Sequence, residues 1–527
     1  MHGSWRRRAG ATTLGVALVA AACGGDDSSG GSGAASTAAG APTTAEGTTA
    51  TSGATQPQSM EEWETLWEKE RAATVKRIKD NRWGRSADGK TLTGPGGWTV
   101  DLTKCAAGWS DTEGLTDTTI KMGQSIAQSG TYADFGNLAR GADVIFAHYS
   151  DEGFFKDNAG KTRTINYITK DDGYDAARSI PNVDELIDSE KVFSIQVLGT
   201  PGTLKNYDKI NQRCIPNALS QTAHTAMGDP VNHPWTSGAP NPNYTTEAIL
   251  WGTFIESRLA EFPADQKIKV AALVQQNEFG AQYNAGFQQY LAASPALQSR
   301  IDYTFEAIEA SAPTVTDPMT TLAAEDPDIF IAMLAGAQMS QLILEAAQNG
   351  MKEQAKYLIA GQGAAQLTIV GKAKMGGDGS ASDGWWVLNP GVKDITDPAF
   401  ADDPFVKWFI DQLRAKGIDP KSSTQLGTGA GYGVAQSQAL AIAGQLDGSL
   451  TRSNYMLAVR TIDLTSPMMI PGIRFHMDGL NDPFIVEAGI FQTWNAASQL
   501  WVNQGNVINI DGKSRPCAWD QSTSSCK

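Results

Sequence analysis

From Thr119 onward short apolar runs alternate with segments of helical periodicity, and no other feature constrains the fold as much. Residues 119–123 (TIKMG) predict a strand, and a loop follows over 124–130. Phe135, Leu138, Ala139, Ala142, Ile145, Phe146 and Tyr149 then recur at helical spacing. A strand through 165–168, a helix carrying Ala177, Ile180, Val183, Leu186 and Ile187, and a strand over 192–197 continue the pattern. After an irregular stretch containing Asn232-His233-Pro234-Trp235-Thr236 it resumes, with helices over 245–260 and 282–291 and strands over 269–274 and 301–305. Residues 328–334 (DIFIAML) read as a fully buried strand. Residues 337–350 form a helix stopped by Gly350, and 357–360 form another strand. Two such series predict two α/β lobes with mostly parallel sheets. In open sheets of this kind ligands bind beyond the carboxyl ends of the strands. The loops after Gly123, Val197, Ser220, Val274, Leu334 and Ala360 are therefore the ones to watch.

The N-terminus speaks of compartment. Arg6, Arg7 and Arg8 precede an apolar run over 11–22, the size of a signal-peptide core. Small residues Ala20, Ala21 and Ala22 stand before Cys23, which resembles a bacterial lipobox and marks Cys23 for lipidation. Residues 24–58 are mostly Gly, Ser, Thr and Ala, a composition that buries too little apolar surface to offset its ordering entropy and acts as a flexible tether. Ser59-Met60-Glu61-Glu62 reads as a capping box opening a helix with Trp63, Leu66, Trp67 and Ile78 on its apolar stripe. Residues 83–117 are loop-rich. The expected organisation is a signal peptide (1–22), lipidated cysteine and tether (23–58), N-terminal extension (59–115), two-lobe domain (116–500) and C-terminal extension (501–527). Lobe 1 is expected over about 116–243 and 380–463, and lobe 2 over about 244–379 and 464–500.

A formal net charge of −15 argues against nucleic acid, whose phosphates demand clustered Lys and Arg. Besides Cys23 there are Cys105, Cys214, Cys517 and Cys526, an even count that allows three disulfide connectivities. The short loop favours Cys517–Cys526 and leaves Cys105–Cys214. No CxxC occurs, and His2, His148, His224, His233 and His476 lack ligand spacing, so neither metal nor cofactor is expected. There is no GxSxG elbow, HExxH or Walker loop, hence no sign of an enzyme. Residues 427–433 (GTGAGYG) imitate a phosphate cradle, but no strand precedes them, and close helix packing is the better reading. Asp171-Asp172 reads as a solvated or capping pair.

Several passages together resemble one family: 120–136 (IKMGQSIAQSGTYADFG), 139–142 (ARGA), 168–177 (ITKDDGYDAA), 198–204 (LGTPGTL), 228–236 (GDPVNHPWT), 277–280 (NEFG) and 326–350. The chain resembles the branched-chain amino-acid (leucine/isoleucine/valine) type substrate-binding proteins of ABC transporters, which are periplasmic binding proteins of type I. The resemblance implies two Rossmann-like lobes joined by three hinge strands in a clamshell, closing on a small-molecule solute, with membrane permease subunits as partners. It implies an extracytoplasmic protein; a ligand-sensing lipoprotein is the alternative the same fold serves. It places Phe135 in the loop after the first strand, where amino-acid binders carry Tyr. Thr200, Gly202 and Thr203 fall in a turn offering amides and hydroxyls to an anion. Ala223, His224 and Thr225 match a segment supplying a carbonyl and a hydroxyl, Phe279 matches a covering Tyr, and Ala335 lies in the loop after DIFIAML. Where amino-acid binders place a Glu against the ligand ammonium, this chain has Gln362. A neutral amide does not compensate a buried ammonium, so the solute expected is a small carboxylate, amide or aromatic compound, with an amino acid the alternative if an acid from another loop replaces the Glu.

Overall fold

A computed structural model describes residues 56–523 together with Ser525 and Cys526. The expected signal peptide, Cys23 and the expected tether up to Thr55 lie outside the described residues.

The first element is the helix Met60–Asp80. Its N-terminus is closed by the Glu62 N–H donating to Ser59 Oγ at 3.2 Å, while the Gln58 N–H donates to the Glu62 carboxylate at 2.7 Å. Trp63 and Trp67 are buried, with Trp67 edge-on to Phe405. The helix thus braces the main body. The loop-rich stretch after it holds a small antiparallel sheet of Gly84–Arg85, Thr91–Thr93 and Thr99–Asp101. Strands of two or three residues are too short to show a period, which is why the pattern passed over them.

Two larger sheets follow. In the smaller, Thr119–Ile126 lies between Thr162–Asp171 and Ser194–Val197 and is parallel to both, with Phe155–Lys156 antiparallel at the edge. In the larger, Ile301–Ile308, Ile268–Gln275, Ile329–Met333, Tyr357–Ala360 and Trp386–Asn389 run parallel in that order. Ala488–Asn495 and Leu500–Asn503 extend it antiparallel. Every residue of Ile329–Met333 is buried, as a strand covered by helices on both faces must be. Trp386–Asn389 enters the larger sheet although its range was expected in lobe 1, because it pairs in register with Tyr357–Ala360. Leu500–Asn503 likewise carries the larger sheet past residue 500.

The helix Gln425–Gly444 contains the glycine-rich run and is buried along almost its whole length. A Cβ on Gly429 would stand 2.1 Å from the Leu138 carbonyl oxygen, and one on Gly141 would stand 2.1 Å from that of Leu426. Gln425–Gly444 and Gly136–Asp151 therefore touch backbone to backbone, and the glycines serve close packing in the first lobe. Among the described residues the chain passes between the layers of the two sheets over 237–244, 389–396 and 476–488, and the tail returns to lobe 1, where the Cys517 N–H donates to the Gly228 carbonyl at 2.7 Å. Lobe 1 gathers on the smaller sheet and lobe 2 on the larger. Disulfides Cys105–Cys214 and Cys517–Cys526, with Cα–Cα distances of 5.4 and 5.0 Å, pin the N-terminal extension to lobe 1 and close a terminal loop.

Candidate functional site

The carboxyl ends of the parallel strands in the two sheets face one another across a cleft. After Thr119–Ile126 the chain turns into 130–135, which brings Tyr132 and Phe135 to the mouth. Tyr132 stacks on Tyr174 with ring centroids 4.3 Å apart, and Phe135 lies 6.1 Å from Tyr132. Tyr132 also reaches lobe 2: its hydroxyl donates to Gln338 Oε1 at 3.2 Å. A Cβ on Gly336 would fall 2.7 Å from the Tyr132 ring, and φ there is +60°, so glycine is required twice over. Across the cleft Phe279 and Tyr283 flank Tyr244, with centroids 5.0 and 4.7 Å from it. Aromatic side chains thus pack on both sides of the cleft.

Two cavities open along the floor. One of about 310 Å³ at the mouth is bordered by Tyr132, Phe135, Ala335, Gly336, Gln366 and Lys374. A smaller one of about 140 Å³ on the hinge side is bordered by Asn241, Gln362, Asn389, Asp394, Thr424 and Tyr432. Gly363 and Gln366 border both, so they adjoin.

At the hinge cavity Gln362 is saturated. Its Oε1 accepts from Asn241 Nδ2 at 2.7 Å, and its Nε2 donates to the Pro242 carbonyl at 3.1 Å and to the Tyr283 oxygen at 3.3 Å. Its backbone N–H donates to Glu247 Oε1 at 2.7 Å, and the Tyr283 hydroxyl donates to Glu247 Oε2. Glu247 is fully buried, and burial pushes its carboxyl up to about 8, against the pull of the two groups donating to it. It is therefore mostly protonated at neutral pH. Asp394 accepts from the Leu367 and Thr396 N–H groups at 3.0 and 2.8 Å, and burial also raises its pKa.

The residues expected at the site divide into three groups. Phe135 and Ala335 border the mouth cavity and Gln362 the hinge cavity. Thr200, Thr203 and Ala223 are buried beside the cleft with their polar groups engaged by the protein. Thr200 and Thr222 hydroxyls lie 2.8 Å apart, Thr203 Oγ1 donates to the Val197 carbonyl at 3.0 Å, and the Ala223 carbonyl accepts from Tyr244 at 3.0 Å. The Tyr244 hydroxyl stands against Thr200 and Thr222, so a side chain of the protein covers the turn that resembles an anion seat. Gly202 packs on Val197 and Ser179, Thr225 Oγ1 contacts Thr245 Oγ1 at 2.9 Å, and Phe279 packs on Tyr244. His224 is turned away. Its Nδ1 accepts from the Ala226 N–H at 3.2 Å, its ring meets Trp519 edge-on, and burial lowers its pKa to about 3.

Tyr132, Tyr174, Tyr244, Glu247 and Gln366 escaped the sequence reading. Tyr132 lies in the loop after Thr119–Ile126, where the strand-end rule points, three positions before Phe135. Glu247 carries no local signal, since its partner Gln362 lies 115 positions away.

A sequence profile for a family described as periplasmic binding protein matches residues 119–479. No curated protein sequence matches the chain. Among solved structures, a possible leucine/isoleucine/valine-binding protein from Rhodopirellula baltica SH 1 is similar, at 18% identity and TM-score 0.58, over 76% of this chain and 98% of its own. A fatty acid ABC transporter substrate-binding protein from Thermomonospora curvata is similar at 17% identity and TM-score 0.60, over 82% and 98%. A solute-binding protein of an ABC transporter from Rhodopseudomonas palustris BisB5, in complex with 3,4-dihydroxy benzoic acid, is similar at 17% identity and TM-score 0.59, over 76% and 100%. At such identities the likeness is one of fold.

Proposed function

The chain belongs to the periplasmic binding protein family, and from that premise we propose that it captures a small solute between its lobes and delivers it to the membrane permease of an ABC importer. In this reading Cys23 carries the lipid that anchors it to the outer face of the membrane, and residues 24–58 are the tether. It is a carrier rather than an enzyme. The observation that carries the proposal is the Tyr132 bridge: a side chain from lobe 1 rests on Gly336 and bonds Gln338 of lobe 2, directly over a cavity bordered by strand-end loops of both. Such a contact is made when the lobes close and lost when they open.

The solute of this proposal is a carboxylate or amide with an aromatic or apolar body, not an α-amino acid. Gln362 carries no charge, and Glu247 behind it holds a proton, so neither offers an anion to a ligand ammonium. Tyr132 and Phe135 offer rings at the mouth cavity, and Lys374 there offers a positive charge to a carboxylate. The Rhodopseudomonas palustris neighbour holds an aromatic acid, which supports the same class.

Isothermal titration of the full chain with benzoate-type acids, short fatty acids, small amides and leucine tests the proposal. Binding confined to the acids or amides is expected. At about a hundred times its dissociation constant such a ligand would stabilise the fold by roughly 2.7 kcal/mol. Tight leucine binding would overturn the solute class.

A further inference from the structure

Away from the cleft, the third crossing between the sheets holds an unexplained group of acids. Asp482 is 3% exposed, and neither of its carboxylate oxygens accepts a hydrogen bond from an N–H or hydroxyl group, its side-chain neighbour being the Glu487 carboxyl. Burying a carboxylate without a partner costs several kcal/mol, so such a group calls for a counter-ion or a proton. Its surroundings supply further ligands. One donor atom each from Asp482, His476 and Asp511 lie within 4.8 Å of one another. Glu487, also buried, sits beside Asp482 and accepts from the Gly512 and Ser514 N–H groups at 2.7 and 3.1 Å. A Cβ on Gly512 would stand 4.0 Å from Asp482 Oδ2, so the tail runs close over the carboxylate. Arg474, the cation nearby, is already paired with Asp463 at 2.7 Å and Glu70 at 3.0 Å. The exposed Asp511 and half-buried His476 leave the group open to solvent on one side.

The geometry points to a divalent cation site in which Asp482, Asp511 and His476 are the ligands, with Glu487 beside Asp482 holding the tail. Carboxylates with one imidazole suit Zn²⁺ or Mn²⁺ better than Ca²⁺, which takes oxygen ligands alone. Asp463 lies 3.9 Å from His476 Nδ1, near enough to hold a carboxylate beside the ring. His476 and Asp482 belong to the third crossing and Asp511 to the C-terminal extension, so the ion clasps the tail onto the crossing. The spacing of these ligands along the chain gives no hint of it; the turn 478–481 and the strand Ala488–Asn495 bring them together.

The test is calorimetric titration of the full chain, stripped with a chelator, with Zn²⁺, Mn²⁺ and Ca²⁺, beside Asp482→Asn and His476→Gln. One equivalent of Zn²⁺ or Mn²⁺ should bind the parent and raise its thermal midpoint. Binding should disappear in Asp482→Asn and weaken at least tenfold in His476→Gln. The parent titration needs no variant to fold, and absence of binding there overturns the site, leaving Asp482 and Glu487 to share a proton. Binding that survives Asp482→Asn, or Ca²⁺ binding indifferent to His476→Gln, overturns it as well.

Discussion

Glu247 at the cleft floor and Asp482 at the third crossing are both buried, at 0% and 3% exposure, and both have raised pKa values through burial. Their oxygens meet opposite surroundings. Both oxygens of Glu247 accept hydrogen bonds from groups that themselves shape the cleft, the Gln362 N–H and the Tyr283 hydroxyl. Neither oxygen of Asp482 accepts one. Depth of burial alone thus does not tell a structural carboxyl from a ligand-seeking one. A satisfied carboxyl is part of the scaffold, and an unsatisfied one is an open valence. Substitutions at the two positions should behave differently, and that difference can be measured.

The largest effect is expected at Glu247→Ala. It strands two buried donors and leaves a cavity under Gln362, a loss of about 3–5 kcal/mol. Urea denaturation of the full chain measures it, read at more than one probe because two lobes need not unfold together. An effect below about 1 kcal/mol would erase the contrast drawn with Asp482.

The next largest is a pH effect. The folded-state pKa of Glu247 lies above its ordinary value of 4.5, so the folded protein keeps a proton the unfolded chain releases. The stabilisation is full below about pH 4.5 and is lost as pH rises toward about 8. Glu247→Gln mimics the protonated form, so it should match the parent near pH 5 and exceed it near pH 9. Parallel stability curves for the two proteins would show that the carboxyl is ionised throughout.

These features differ in how far the sequence reveals them. The parallel strands were legible because a strand covered on both faces must be continuously apolar, as Ile329–Met333 is, and because Gly350 (φ +85°) ends its helix in a left-handed turn. The strand-end rule then placed the cleft. What it could not supply was the partner of each polar group. Glu247 lies in a helix between Thr246 and Ala248 and reads as a surface position, until Gln362 arrives from another strand end. Thr200 reads as an anion donor until Tyr244 covers it. Pairings across more than twenty positions leave no local trace in a single sequence, whereas periodicity does.

Gln362→Glu follows in size, at about 2 kcal/mol of destabilisation. The amide Nε2 donates to the Pro242 carbonyl, and a carboxylate there would face that carbonyl with no proton to give. If the position instead tolerated Glu and the variant gained leucine binding, the ammonium seat would be intact and only its charge missing. That outcome would relocate the distinction between this chain and amino-acid binders to a single side chain.

The smallest effect carries the opposite sign. In metal-free protein Asp482→Asn removes a buried carboxyl crowded by Glu487, so it should stabilise by about 1 kcal/mol. With Zn²⁺ or Mn²⁺ present the order should reverse, because only the parent gains from the bound ion. Glu247→Gln offers the control, since no metal ion should change its rank against the parent. A reversal at Asp482 without one at Glu247 would establish that the two buried carboxyls serve different ends, one holding the cleft floor and the other awaiting a cation. The same ranking with and without metal at both positions would make Asp482 a second scaffold carboxyl, kept neutral by a proton shared with Glu487.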